Sequence, residues 1–191
     1  ARRGQYLRAV SPLLVDDIEL LVAAWEPGDA GNYRAEFLAR DPDEALGLVL
    51  TGLGTLSASE LGGERLSVAF ETRDQEDEHS CFSDTTRDDL ANDAIGIENG
   101  YLGRYGDLDG PGLSDLVRQV DPALDASVRQ QLATSVAAVQ AIPQPFDQAI
   151  IGADDSPGRV AVDAAITALF AQADGFASVA DALGVSTGTG E

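Results

Sequence analysis

The residues with the most distinctive chemistry lie in one short segment, residues 74–84. It contains the single histidine, His79, and the single cysteine, Cys81, of the 191-residue chain. Five acidic residues lie within five positions of His79, so the local potential is negative and would stabilise both a protonated imidazole and a bound cation. Imidazole titrates near neutral pH and is a common metal ligand. The sequence therefore predicts that a chemical site of this chain includes His79.

One interpretation of this segment is a metal site. His79 and Asp84, joined by Glu76 or Glu78, would supply the nitrogen and oxygen ligands that suit iron or zinc. A peptidase centre of the zincin kind needs more, namely two histidines one helical turn apart, a third ligand and a general base. One histidine cannot supply that set, so a metal centre would need groups from outside this chain.

A second interpretation is a polar anchor, in which His79, Ser80, Ser83 and Asp84 hold a ligand by hydrogen bonds. A third is purely structural: His79 is a satisfied residue, Ser83 or Asp84 caps a helix, and the acidic run is a solvated loop. Ser-His-Asp catalysis is disfavoured because Ser80 is adjacent to His79 in sequence, which prevents the required geometry. Cys81 is expected to be buried beside Phe82.

Polar residues continue downstream of this segment. Asp84 and Asp88 are four apart and would share a helix face, either as site residues or to complement the helix dipole. Tyr101, Arg104 and Tyr105 would close that stripe, unless the aromatic residues belong to the core. The predicted ligand-binding residues are His79, Ser80, Ser83, Asp84, Asp88 and Arg104, and the predicted metal ligands are His79, Glu76 and Asp84.

Helical hydrophobic spacing runs through almost the whole chain. The pattern predicts helices over residues 6–25, 32–39, 41–61, 84–105, 113–120, 122–142 and 158–183, the third of them capped by Asp41 with Pro42 in its first turn. Gly47, Gly52 and Gly54 are costly in a helix interior and are explained by close packing against a neighbouring helix. Gly62 and Gly63 mark a break. Without a convincing strand pattern, the chain is predicted to be an all-α helical bundle, with one domain over residues 1–183 and a flexible tail over 184–191.

Charge and composition exclude several classes of partner. The net charge is −21, all 12 basic residues are Arg, and Met is absent. Nucleic acid and anionic membranes would be repelled by such a surface. No hydrophobic run of about 18 residues suggests a membrane span, so the chain is expected not to be transmembrane. Because it lacks Met and opens with Ala1, Arg2 and Arg3, it is expected to be a piece of a longer protein.

Several strings of residues carry a resemblance to a known family. They are Asp-Glu-His-Ser-Cys-Phe-Ser-Asp-Thr-Thr at 77–86, Asp-Leu-Ala-Asn at 89–92, Tyr-Leu-Gly-Arg-Tyr at 101–105, Arg-Arg-Gly-Gln-Tyr-Leu at 2–7 and Leu-Leu-Val-Asp-Asp at 13–17. Together with Trp25 they resemble the imelysin family, in its iron-regulated protein A branch.

The resemblance implies two related helical bundles with a site between them, a place in the bacterial periplasm or on the outer membrane, and a link to iron acquisition. It also implies classification as a metallopeptidase around a Gly-x-His-x-x-Glu motif. This chain contains no His-x-x-Glu. The resemblance therefore predicts the C-terminal half of a non-catalytic protein of iron uptake, which binds iron or an iron-containing ligand together with its N-terminal half. The alternative is a metallopeptidase whose motif lies in that other half.

Overall fold

A computed structural model describes residues 2–188 of the chain. These residues form two compact units, Ala1–Ala45 and Leu46–Glu191, and the division falls in the first turn of a helix. The all-α prediction is confirmed, because helices account for nearly all of the regular structure and the strands are two residues long.

The first unit contains helices α1 (Arg2–Trp25) and α2 (Tyr33–Leu38). Asn32 caps α2 by accepting a hydrogen bond from the Ala35 backbone N–H at 3.0 Å. The Trp25 ring packs on Tyr33 and Phe37, with ring centroids 5.1 and 5.8 Å apart. The 24 residues of α1 include none that is buried, although the helix carries many apolar side chains. The amphipathic helix predicted here is present, and its apolar residues are exposed.

A helical run from Pro42 to Thr72 leads into the second unit. It consists of α3 (Pro42–Thr55), a π-helical segment (Leu56–Ser67) and α4 (Val68–Thr72). The predicted break at Gly62 and Gly63 is wrong, because the chain stays helical there. A Cβ on Gly62 would lie 3.2 Å from the Ser57 carbonyl oxygen and 3.4 Å from the Phe170 ring, so glycine permits the close approach that this segment needs.

The remaining elements of the second unit follow in chain order. They are a 3-10 helix (Gln75–Asp77), α5 (Thr86–Leu102), β1 (Arg104–Tyr105), β2 (Leu108–Asp109), α6 (Leu113–Val120), α7 (Pro122–Gln140), α8 (Phe146–Ile150) and α9 (Pro157–Leu183). The two strands pair antiparallel, with Arg104 opposite Asp109. The core lies where α7 and the π-helical segment pack against α9, and where α5 packs against α7.

Two buried polar groups fix how these helices meet. The Tyr101 and Ser114 hydroxyls donate to Oδ1 of the buried Asp125, at 3.1 and 2.6 Å, and so join α5, α6 and α7. The Arg159 guanidinium is buried, donates to the carbonyl oxygens of Phe70 and Ile150 at 2.8 Å each, and lies 3.8 Å from the Phe70 ring centroid. Both groups are satisfied, as buried polar atoms must be if they are not to destabilise the fold.

The segment that follows α9 packs on α3. Val185 is buried, and the Gly188 backbone N–H donates to the Thr51 hydroxyl at 3.1 Å. A Cβ on Gly47 would lie 2.3 Å from the Ser186 carbonyl oxygen, so this segment, and not a helix, accounts for Gly47. Gly52 and Gly54 have open space around them, so the packing explanation is wrong for both. Residues 184–188 of the predicted flexible tail are thus anchored, and residues 189–191 lie outside the described residues.

Two helical runs are long and apolar enough to cross a bilayer by length and composition. They are Pro42–Thr72 and Pro157–Leu183, with mean hydropathy of 1.2 and 1.3 over their best windows. Core helices of soluble proteins meet the same criterion, and these two runs pack against each other through a buried hydrogen bond from Gln172 to Ser57 at 2.7 Å. The expectation that the chain does not span a membrane stays a prediction.

Candidate functional site

The candidate site is built on the first turns of α5. The predicted cap at Ser83 or Asp84 is wrong, because α5 begins at Thr86 with Thr85 in the cap position. The reason is the turn before it: the Asp84 backbone N–H donates to the Ser80 carbonyl at 2.9 Å, and Asp84 has a φ of 59°. Left-handed backbone of this kind is compatible with aspartate but not with a helix start.

Hydroxyl groups converge on one carboxylate in this turn. The Ser80 and Thr85 hydroxyls donate to Oδ2 of Asp89 at 2.5 and 2.9 Å, and the Ser83 and Thr85 hydroxyls lie 2.8 Å apart. The Ser80 hydrogen bond is the main reason that the pKa of Asp89 is lowered, and the Thr85 hydroxyl and the His79 charge act in the same direction. Asp89 is therefore held as a carboxylate and positions the Ser80 loop against α5.

His79 lies exposed beside this carboxylate. Its charge lowers the pKa of Asp89 and that of Asp93, one turn further along the same face of α5. Burial dominates at Asp93 and raises the pKa of that carboxyl. We call His79, Ser80, Asp89 and Asp93 the His79 cluster. Sequence reasoning missed Asp89 and Asp93, although their spacing of four on the predicted helix was a signal for a shared face.

The other predicted site residues point elsewhere. Asp88 is turned to another face of α5, where Oδ1 accepts from Arg87 and from Gln144, both at 2.9 Å. Arg104 follows the opposite end of α5, about 25 Å from the first turn by helix rise, and pairs with Asp109 at 3.3 Å. The structure therefore keeps His79, Ser80 and Ser83 together, since the Ser83 hydroxyl donates to the Ser80 carbonyl oxygen at 3.3 Å, and separates them from Arg104.

Glu78 is buried directly before His79. Its side chain is 4% exposed, and neither carboxylate oxygen has a hydrogen-bond partner among the described residues. Burial raises the pKa of this carboxyl, as do the nearby charges of Asp147 and Asp84, while the Thr86 hydroxyl and Gln75 act in the opposite direction. Glu78 thus carries a buried carboxyl without a hydrogen-bond partner among the described residues.

The predicted metal ligands are not part of a three-donor group in the described structure. Within residues 2–188, no group of three or more His, Cys, Asp or Glu side chains is close enough to hold a metal ion. Glu76 and Asp84, the proposed partners of His79, are exposed. The described residues alone do not fit a zincin centre or a three-ligand metal site. A metal role for His79 stays a prediction that depends on donors from outside them.

The remaining features of the segment are on the surface. Phe82 is fully exposed and Cys81 is half-buried with a free thiol, so the expectation that both are buried together is wrong. The cavities formed by the described residues include one of about 570 Å³ between α5, α6 and α7, at the opposite end of α5. A cleft at His79 itself stays a prediction.

Comparison with known proteins places the chain in a family. The family model Imelysin matches residues 1–175. The chain is 30% identical over 180 residues to iron-regulated protein A of Synechococcus elongatus, an alignment that covers 89% of this chain and 49% of that protein. The chain thus spans about half the length of this curated relative.

Solved structures show the same fold. An imelysin peptidase from Bacteroides ovatus superimposes with a TM-score of 0.73 at 21% identity, over 93% of this chain and 53% of that one. A candidate iron-regulated protein A precursor from Parabacteroides distasonis superimposes with a TM-score of 0.72 at 19% identity, over 93% and 55%. The resemblance drawn from the sequence is confirmed, and the chain belongs to the imelysin family.

Proposed function

We propose that this chain is part of a non-catalytic bacterial iron-uptake protein, which binds iron or an iron-containing ligand. The observation that supports the proposal is the His79 cluster, in which an exposed imidazole, a hydroxyl and two carboxylates share one end of α5. The similarity to an iron-regulated protein agrees with it. We place the protein in the periplasm or on the outer-membrane surface, as the family resemblance implies.

Iron is held as a complex in this proposal. Since the described residues form no group of three metal donors, a bare ion would need ligands from elsewhere. A chelate already occupies most positions on the metal and offers polar groups at its edge. The imidazole of His79 would donate to such groups, while Asp89, fixed by Ser80 and Thr85, keeps the loop rigid.

The partner is the other half of a family-length protein. Helix α1 leaves long apolar side chains more than half exposed along its length, among them Leu7, Leu14 and Leu21. Contiguous apolar surface of this size on a soluble protein marks an interaction site. Because the chain spans about half of its relatives, the remaining half is the occupant that we propose for this face.

Iron-chelate binding by a family-length protein tests the proposal. We expect saturable binding of ferric citrate by isothermal titration calorimetry, and at least a tenfold loss in a His79→Ala variant, since a charge-assisted hydrogen bond contributes about 1.5–3 kcal/mol. Asp93→Asn should strengthen binding, because it removes a negative charge near His79 that repels the anionic ferric citrate. Asp163→Asn is the matched control, because Asp163 is an exposed acid on α9. Unchanged affinity in His79→Ala would remove His79 from the site.

The alternative is a metallopeptidase whose metal-binding motif lies in the other half. It is favoured by the similarity to a solved imelysin peptidase. In that case this chain contributes no metal ligand set, since it has one histidine. Digestion of unfolded casein by the family-length protein, with and without a chelator, decides between the two. The absence of chelator-sensitive cleavage would reject the peptidase.

A further inference from the structure

A second site lies at the opposite end of α5. Three of the chain's 12 arginines, Arg104, Arg118 and Arg129, line the cavity of about 570 Å³ between α5, α6 and α7. Acidic residues outnumber basic ones by 33 to 12 in the whole chain, whereas this cavity has three arginines and two acids, Glu98 and Asp125. Counting Asp109 and Asp115, which pair with Arg104 and Arg118, four acids surround the cavity. The distinguishing feature is therefore the grouping of three arginines in a strongly acidic chain.

The guanidinium groups keep donors available for a ligand. Arg104 pairs with Asp109 through Nε, so both of its terminal nitrogens are uncommitted within the described structure. Arg118 pairs with Asp115 through Nη2, which leaves Nε and Nη1. Arg129 has no hydrogen bond or ion pair among the described residues, although it lies one turn from Asp125 on α7. Guanidinium groups with free donor pairs bind carboxylate and phosphate oxygens in a bidentate manner.

The rest of the lining is apolar. Leu102, Pro122, Ala126 and Ala133 form walls beside the arginines. The volume falls in the range of sites for small organic molecules, about 300–1,000 Å³, and is far larger than a lone inorganic anion requires. We propose that this cavity binds a small organic anion, with its carboxylate or phosphate on Arg104, Arg118 and Arg129 and its apolar body on the neighbouring walls.

The acids in the lining have different roles. Asp125 already accepts two hydroxyl hydrogen bonds on Oδ1 and is fixed by the fold. Glu98 is half-buried and has no hydrogen bond among the described residues, so its negative charge opposes an anion in the cavity. Removing one charge from Arg129 and one from Glu98 should therefore change anion affinity in opposite directions.

Titration of the 191-residue chain tests the proposal. Benzoate and phenyl phosphate are the probes, with inorganic phosphate and neutral benzyl alcohol as comparisons, in calorimetry at low ionic strength. We expect saturable binding of benzoate or phenyl phosphate, weakening as salt is added, and weaker binding of the two comparisons. The stronger of the two probes identifies the head group as carboxylate or phosphate.

Variants give the decisive outcome. Arg129→Gln should weaken binding about tenfold or more, and Glu98→Gln should strengthen it. Arg87→Gln removes one charge from an arginine outside the cavity and should leave affinity unchanged. Arg104→Gln serves as a second test if Arg129→Gln alters the circular dichroism spectrum. No saturable binding of either probe, or equal losses in Arg129→Gln and Arg87→Gln, would overturn the proposal.

Discussion

Replacing Glu78 by glutamine should stabilise the protein at neutral pH. The carboxylate is buried, both of its oxygens lack hydrogen-bond partners among the described residues, and Asp147 and Asp84 add repulsion. An unsatisfied buried group costs about 1–3 kcal/mol, and more when it is charged. The glutamine amide keeps the shape, removes the charge and can donate a hydrogen bond to a neighbouring carboxylate. Because the amide remains partly unsatisfied, we expect a gain of about 1–2 kcal/mol in the free energy of unfolding.

The gain should depend on pH in one direction. Burial raises the pKa of Glu78 in the folded state. As pH rises above the ordinary glutamate pKa of about 4.3, the unfolded chain releases its proton first, so the wild-type protein loses stability until the folded-state pKa is passed. The advantage of Glu78→Gln should therefore be absent near pH 4, grow as pH rises, and then stay constant.

Thermal and urea unfolding between pH 4 and pH 8 provide the measurement. A gain of 1–2 kcal/mol corresponds to a rise in Tm of about 2–8 °C for a chain of this size. Glu76→Gln is the matched control, because Glu76 is exposed two residues earlier, and it should have almost no effect. Two results would refute the view that the buried Glu78 carboxylate destabilises the fold. One is destabilisation by Glu78→Gln at pH 8, and the other is a stability difference between variant and wild type that does not vary with pH.

Three further predictions follow from the packing. Gly47→Ala should destabilise the second unit by at least about 1 kcal/mol, because its Cβ would collide with the Ser186 carbonyl. Gly52→Ala, in open space, should stabilise α3 by up to about 1 kcal/mol. Equal urea midpoints for the two variants would contradict this difference. Arg159→Lys should lower the free energy of unfolding by about 1–3 kcal/mol, since an ammonium cannot make the same contacts to Phe70 and Ile150. A melting curve identical to that of the wild type would show that the guanidinium is dispensable. The isolated chain should self-associate through α1, and a monodisperse monomer by light scattering would oppose that expectation.

Much of the fold could be predicted because helical periodicity is a local signal. Three helices end at the residues predicted from the sequence, namely Trp25, Val120 and Leu183. The π-helical segment was missed because its two adjacent glycines signal a break locally, and only the packing of Gly62 against Phe170 shows why the helix continues. Contacts between residues distant in sequence thus determine whether a helix continues through such glycines.

The candidate site was predicted only in part, for a related reason. The unusual residue His79 identified the segment, but the position of the helix start decided which carboxylates meet it. Asp84 lies in the turn before α5 and so shares no helix face with Asp88, and this turn places His79 near Asp89 and Asp93 instead. The course of that turn depends on contacts such as the hydrogen bond from the Ser80 hydroxyl to Asp89, which helical periodicity does not encode.

The two ends of α5 are complementary in charge, and the helix itself explains part of this. Asp88 and Asp89 lie in its first turn and Arg104 follows its last, as the helix dipole favours. Arg118 lies in the last turn of α6, where the dipole of that helix and its pair with Asp115 stabilise it. Arg129 lies in the middle of α7, where neither helix terminus explains its charge. The anionic ligand that we propose for the cavity would give Arg129 a partner. Because about 25 Å of helix separates the two ends, Arg129→Gln should leave iron-chelate binding at His79 unchanged, and His79→Ala should leave anion binding unchanged. A loss of both activities in either single variant would mean that the two sites are one coupled system.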